Sequence, residues 1–417
     1  MPLPLFALLV CVFGVGTAEY VIAGLLPNIA SDVAVSVPSA GLLVTAYAVG
    51  VVIGGPLITA LTTRVERKTL MLTLMAIFTL GNILAALAPG YTVLMVARVV
   101  SSLAHATLFA VALVVAVNSV APEKQGRAVA QVAAGLNLAT VLGVPLGTLL
   151  GEQFGWRSAF WAVSGVALVG TALISVFVPS AREADGGVAP DTTSLRAEVS
   201  VFARPQVLLA IGMTVLGQTG AFTAFTYLAT MLTDTTGFSG TAVTVLLLVY
   251  GVGSLAGNLI GGRLADRSLM ASLCWMLVAL PLALVVLGFT LDSKPAVSVA
   301  VFVFGAAAFA ITPALQARLL AAASGAPTLA VSVNISAFQL ANAFGAWIGG
   351  LVIGSSFGAD GVTWTAAAVS LLALPVAVLA LRHDRRGGRP EGPGAVDESP
   401  APAQSPAPAQ SHAPAEA

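Results

Sequence analysis

Charge is what this chain has least of. Only 9% of its 417 residues are Asp, Glu, Lys or Arg, against 58% hydrophobic, whereas a water-soluble domain carries roughly 25% charged residues. Too few charges remain to face water around a folded chain of this length. That excludes an ordinary soluble domain and makes lipid the solvent. The charges also balance, 18 Lys+Arg against 18 Asp+Glu, so no basic excess points to nucleic acid as a partner. Cysteine is nearly as scarce. Cys11 and Cys274 stand far apart in apolar runs, as small core hydrophobes rather than a disulfide or metal framework. No GxxxxGK[ST] loop, HExxH or close His/Cys cluster occurs, which leaves Walker-type ATP hydrolysis and metal catalysis without support and no cofactor expected. The N-terminal MPLPLFALLV lacks the basic start of a signal peptide, and its apolar run continues to Leu26 with no small-residue cleavage site. It reads as a first membrane span.

What is present is a series of apolar runs, each near the length of about 20 residues that a bilayer demands. They lie near 3–27, 39–61, 70–88, 91–117, 128–151 and 158–179, and then near 206–232, 241–262, 270–290, 296–318, 327–354 and 361–382. A polar stretch, 181–204, separates the two sets and reads as a linker between six-span bundles at 1–180 and 205–382. From His383 to 417 the chain turns to Arg, Gly, Pro, Ala, Ser and Gln, including SPAPAQSPAPAQSHAPAEA. Such a tail cannot bury enough apolar surface to offset its ordering and is expected to be disordered.

Lys and Arg concentrate in alternate connections. Arg64, Arg67 and Lys68, Lys124 and Arg127, three linker arginines, Arg263 and Arg267, Arg318, and Arg382, Arg385, Arg386 and Arg389 all fall on one side. The opposite side holds Arg157 and Lys294 among Asp32, Glu152, Asp234, Asp292 and Asp360. The positive-inside bias makes both termini cytoplasmic, which requires an even number of spans, and twelve fits.

The chain also repeats itself. Gly50, Gly54, Leu61 and Arg64 of the second span return as Gly253, Gly257, Leu264 and Arg267 of the eighth, at an offset of 203; Gly143 and Gly147 of the fifth return as Gly345 and Gly349 of the eleventh, at 202. Two parallel copies of six helices are one way in which transporters are built. The glycines fall four apart on one face and admit another backbone closely. Ordinary tight packing explains such a row. Matching rows on helices 2, 5, 8 and 11 suggest instead a seam along which two halves rock, a property that suits a transporter better than a fixed channel.

With these features the sequence resembles the 12-helix drug:proton antiporter branch of the major facilitator superfamily, from about Pro2 to Arg382. Gly262-Arg-Leu-Ala-Asp-Arg267 is similar to the family's motif between helices 8 and 9, whereas Leu61-Thr-Thr-Arg-Val-Glu-Arg-Lys68 has Thr63 where an Asp is common. Arg98 falls where the family has a buried helix 4 arginine, and Gly143-Val-Pro145-Leu-Gly147 resembles its antiporter motif. Gly16-Thr-Ala-Glu-Tyr20, Gly24-Leu-Leu-Pro27, Gly155-Trp-Arg157 and Phe160-Trp161 resemble chloramphenicol exporters and the neighbouring arabinose-efflux-like permeases. The resemblance implies an all-α membrane protein of the major facilitator fold and a proton-coupled exporter of small amphipathic drugs. It also implies a bacterial inner-membrane location and clamping of the two halves by Asp266 and Arg267, with Arg64 a weaker candidate.

A charge inside a span costs roughly 2.5–3.5 kcal/mol to insert at mid-helix and persists where it pairs or faces a cavity. Glu19 and Arg98 are the clear cases. At the helical rise they lie about 12 Å and about 10 Å below the same boundary, so they can share a cavity or form a salt bridge. A carboxylate drawn towards its charged form by a guanidinium and towards its neutral form by desolvation changes protonation as its surroundings open. Glu19 is therefore the candidate proton site; the competing reading is a permanent lock with Arg98. His105, two turns along, extends a proton path or hydrogen-bonds within the packing. Asn137, Gln218, Asn334, Gln339 and Asn342 are candidate cavity donors or interhelical bridges, and Phe222, Phe225 and Tyr227 line an apolar pocket or face lipid. A membrane enzyme would gather more reactive groups at one depth than these. A sugar or other metabolite remains the alternative substrate, and because one chain holds both halves a monomer suffices.

Overall fold

In the computed structural model of the protein, residues 1–62, 65–121, 124–179, 204–322 and 327–387 are described. Among them twelve helices are long and apolar enough to cross a membrane. They are α1 (Leu3–Asp32), α2 (Val37–Leu61), α3 (Arg67–Ala86), α4 (Tyr91–Asn118), α5 (Gln125–Phe154), α6 (Arg157–Phe177), α7 (Pro205–Thr226), α8 (Gly240–Arg267), α9 (Leu269–Thr290), α10 (Lys294–Ala322), α11 (Pro327–Ile353) and α12 (Asp360–Leu371, continued by Ala373–Gly387). The backbone helix of α12 runs to Gly387, past His383 where the tail was expected to begin. The expected disordered tail beyond it, and all of the expected linker but Arg204, lie outside the described residues.

Local chemistry explains the helix boundaries. Ser36 caps α2 by accepting from the Ser39 N–H, and Ser239 caps α8 by accepting from the Ala242 N–H, each satisfying a donor the first turn leaves open. The two caps are 203 residues apart, the offset of the repeat itself. Between α5 and α6, Gly155 adopts φ +84°, a backbone conformation open to glycine and strained for other residues. Large apolar side chains lie exposed around the molecule, Trp275 and Phe289 by three-quarters of their surface. This is the surface lipid requires, since water would not tolerate it.

α5 is not a regular α-helix. It widens into a π turn over Ala139–Gly143, just before Pro145. Proline lacks the N–H that would bond the carbonyl four residues earlier, and its ring crowds that carbonyl, so the turn relaxes by taking in one more residue. Such turns often mark functional segments. A second one, Met231–Thr235, follows α7.

The repeat is legible in three dimensions. A Cβ on Gly50 would meet Ser102 with the Val99 carbonyl nearby, and one on Gly54 would meet Leu103; on Gly253 it would meet the Phe302 carbonyl, and on Gly257 the Ala306 carbonyl. Val99 and Phe302, like Leu103 and Ala306, stand 203 positions apart. In the same way Gly143 and Gly147 of α5 face Thr17 and Val21 of α1, while Gly345 and Gly349 of α11 face Thr219 and Thr223 of α7, all 202 apart. These contacts correct the expected seam. The glycine rows, Gly143, Pro145 and Gly147 included in their helix, close each half on itself, α2 on α4 and α5 on α1. They do not face the other half. The physical reason is separation: the closest backbone approaches lie inside each bundle, where a side chain would force the helices apart.

Helices 2, 5, 8 and 11 do meet across the two halves, through other residues. The Thr45 hydroxyl of α2 donates to the Ala343 carbonyl of α11 at 3.3 Å. Gly251 of α8 lies against the π turn at Thr140 and Val141, and Gly240 at the start of α8 against the Glu152 carboxylate. All of these lie between mid-membrane and the end opposite the termini. That end also carries an ion pair between acidic and basic side chains that needs no histidine. Arg157 Nη1 donates to Asp32 Oδ2 at 2.5 Å, with the Trp156 ring N–H on the same oxygen at 3.0 Å and Arg157 Nη2 on the Ala88 carbonyl at 2.8 Å. Both charged side chains remain 36–48% exposed, so the pair contributes about 1 kcal/mol or less. Asp32→Asn should accordingly shift the thermal unfolding midpoint in detergent only slightly, as intrinsic fluorescence would record.

Candidate functional site

One cluster of interior polar residues is built from α1, α2, α4 and α11. Glu19 on α1 is 3% exposed. Its Oε1 accepts from the Gln339 amide at 2.9 Å and the Asn342 amide at 3.2 Å. Those two residues are one helical turn apart on α11, so they share a face. On its other side Glu19 Oε2 lies 3.7 Å from His105 Nδ1, which is itself 3.1 Å from the Tyr47 hydroxyl of α2.

Arg98 does not form the salt bridge with Glu19 that comparable depth allows. Fully buried, it donates from Nη1 to the Ala18 carbonyl at 2.7 Å and lays its guanidinium 4.0 Å from the centre of the Tyr47 ring. It therefore holds α1 by its backbone, next to Glu19. The cation–π contact is worth more in such a desolvated site than at a surface. Arg98 Nε and Nη2 have no hydrogen-bond partner, and neither does Gln339 Oε1.

Aromatic rings adjoin this cluster. Tyr20, the residue after Glu19, lies near-parallel to Phe222 of α7 with centroids 6.4 Å apart, and edge-on to Phe225 at 6.0 Å. Phe225 stacks on Tyr250 of α8 at 4.8 Å, and Tyr250 meets Phe309 of α10 edge-on. Together with Thr140 of the π turn, these five rings surround a void of about 10 Å³, room for about one water. Phe225, for which a lipid-facing position was open, is 5% exposed and belongs to this cage.

The remaining expected residues fall elsewhere. Gln218 is buried, but its amide is spent on the Ala308 carbonyl and the Thr312 hydroxyl of α10, both at 3.3 Å, as an interhelical bridge. Asn137 is half-buried two residues before the π segment, outside the Glu19 cluster. Asp266 and Arg267 end α8 exposed and without a salt bridge, so no clamp is formed there in this conformation. Arg64, with Thr63, lies outside the described residues. Tyr47 and Tyr250 were missed. They stand 203 positions apart, at the repeat offset, and a buried mid-helix tyrosine at both repeat positions was the signal available. Among the described residues no group of three His, Cys, Asp or Glu side chains gathers as a metal site.

A buried carboxylate bonded across two pseudo-symmetric six-helix halves, with a guanidinium and an imidazole of its own half beside it, is an arrangement that suits a secondary transporter of small molecules. The Major Facilitator Superfamily matches residues 8–326, and the chain belongs to that family. The inner membrane transport protein YdhP of Escherichia coli K12 is 42% identical over 91% of this chain and 96% of its own. A chloramphenicol resistance protein of Streptomyces lividans is 38% identical over 90% and 96%. Among solved structures, the D-xylose-proton symporter superposes with a TM-score of 0.74 at 15% identity, covering 89% of this chain and 96% of its own. A bacterial homologue of the lysosomal transporter Spinster, inward-facing and unoccupied, gives 0.74 at 16%, covering 92% and 97%. At these identities the two structures share the fold alone.

Proposed function

We propose that the protein is a proton-coupled exporter of small amphipathic molecules, working by alternating access between bundles 1–180 and 205–382 in the inner membrane of a bacterium, with both termini cytoplasmic. The observation that carries this reading is Glu19: a buried carboxylate, bonded across the two halves by Gln339 and Asn342, beside a cage of aromatic rings. Apolar walls with a few convergent polar groups suit an amphipathic ligand. Proton and substrate compete for one carboxylate, since protonation removes the charge that strengthens each hydrogen bond to it. The groups facing Glu19 are Tyr20 on its own helix, Tyr47 of α2, Arg98 and His105 of α4, and Gln339 and Asn342 of α11. His105 relays or tunes the proton and Arg98 fixes α1. A single chain suffices, and Asp266, Arg267 and Arg64 clamp the cytoplasmic ends only when those ends close.

Cells expressing the protein should accumulate less labelled chloramphenicol than empty-vector cells, and a protonophore should restore accumulation. Equal accumulation, with the protein shown to be in the membrane, would remove chloramphenicol and turn the search to sugars and other metabolites. A sugar site needs more inward-facing donors, and Gln218, one of the few amides available, is already committed to α10.

A further inference from the structure

The two halves repeat each other's framework but not each other's lining. Tyr47 and Tyr250 are repeat equivalents, yet Tyr47 is flanked by Arg98 and His105, and Tyr250 by Phe225, Phe304 and Phe309. Tyr20 and Phe222, 202 positions apart, face each other across the halves as near-parallel walls, 13° between ring planes. At the repeat position of Glu19 the second half has Ala221, and at that of Arg98 it has Val301. One wall is polar and the other aromatic.

The polar cluster has an unfilled acceptor, contributed by α11 of the second half. Gln339 is 5% exposed, and its amide N–H₂ is committed to Glu19. Its Oε1 is buried with no partner. Exchanging the amide's two ends would set that oxygen against a carboxylate, so the orientation with nitrogen on Glu19 is the one electrostatics selects. A buried acceptor left unpaired is costly and stands ready for a donor from a bound molecule. The buried charges beside it, Glu19 and Arg98, are of opposite sign, so the site holds no surplus negative charge for a cation.

We propose that Gln339 is a specificity-determining residue of the substrate site: its side-chain oxygen accepts a hydrogen bond from a hydroxyl donor of a neutral aromatic substrate whose ring occupies the cage of Tyr20, Phe222, Phe225, Tyr250 and Phe309. This rests on the reading of the cluster as the substrate site, and it adds which atom reads the substrate and which class is admitted. The cage is collapsed to about the volume of one water here, so the rings move apart to admit the ligand.

The test is equilibrium binding to the purified full-length protein in detergent. The probes are labelled chloramphenicol, its diacetyl ester with both hydroxyl donors masked, and tetraphenylphosphonium, a cation without donors. Chloramphenicol should bind the native protein at least about fivefold more tightly than the diester, the worth of one or more hydrogen bonds. Gln339→Met should erase most of that difference by weakening chloramphenicol while leaving the diester unchanged. Phe225→Ala should weaken both probes. A purely structural role of Gln339 between the halves would weaken both equally, and that result overturns the assignment. So would equal binding of the two esterification states, displacement of chloramphenicol by tetraphenylphosphonium at comparable concentration, or no binding of any probe. Binding does not require a proton gradient, so loss of proton-driven export with this pattern intact would sink the coupling reading and leave the substrate assignment standing.

Discussion

Glu19→Gln should abolish export driven by a proton gradient, bringing accumulation of labelled chloramphenicol to that of cells lacking the protein, while exchange of labelled for unlabelled substrate down its own gradient persists. Gln has the shape of Glu and keeps a carbonyl oxygen that accepts from Gln339 and Asn342, so the bridge between α1 and α11 is retained. Its hydrogen bonds become neutral ones, roughly half as strong as charge-assisted bonds. What is lost is the ability to bind and release a proton. A side chain that is always neutral holds the site in one protonation state, and the transport cycle loses its link to pH on either side of the membrane. Proteoliposomes loaded at one pH and diluted into another separate the two activities. Export by the variant with the pH dependence of the native protein would eliminate Glu19 as the coupling group and leave it as a bridge between helices.

Gly257→Ala should be among the most damaging single-methyl changes in the chain. A Cβ at this position would lie against the carbonyl oxygen, carbonyl carbon and Cα of Ala306, all backbone atoms that no rotamer change can move. α8 and α10 would have to separate along a contact that Gly253 and Gly261 extend in both directions. Overpacking of this kind costs about 1–3 kcal/mol and sometimes more, which a membrane protein in detergent shows as lost folded yield and a lower unfolding midpoint. Gly165→Ala is the matched control. It sits mid-helix on α6, exposed, with nothing within 4 Å of the added carbon, and should gain about 0.5–1 kcal/mol of helix preference. Equal midpoints for the two variants would show that the α8–α10 contact is looser than its geometry.

How much of this could be read before folding differs by element. The spans were legible because lipid imposes a length and a composition on each, and all twelve expected runs overlap a helix. The duplication was legible because glycine rows recur at fixed offsets. Where those rows point was not, since a periodic face does not say which neighbour it meets; helices 2, 5, 8 and 11 have one face towards their own half and another towards the opposite one. Glu19 and Arg98 stood out because charge inside a span is expensive, but spacing along α1 and α4 could not tell a direct pair from the observed arrangement, in which Arg98 takes the Ala18 carbonyl and the Tyr47 ring. Five amides were eligible as cavity groups. Only contacts across about 320 residues of sequence, Gln339 and Asn342 on Glu19, separate them from Gln218, which bridges helices of its own half. The aromatic cage was half visible: Phe222 and Phe225 fell on one helix, but Tyr20, Tyr250 and Phe309 come from three others.

Among the described residues, the hydrogen bonds from one half to the other all end on α11: Thr45 on the Ala343 carbonyl, then Asn342 and Gln339 on Glu19. They follow one another along the helix, 343 nearest the closed end and 339 deepest. Opening that end therefore need not break a whole face at once. It can proceed as a zipper undone from one tip, first a neutral bond worth about 1 kcal/mol and then two stronger ones at the carboxylate. With Glu19 as the proposed proton site, the last teeth are the ones a proton would loosen, so the early stages of opening would fluctuate freely while completion waits on the chemistry at the bottom.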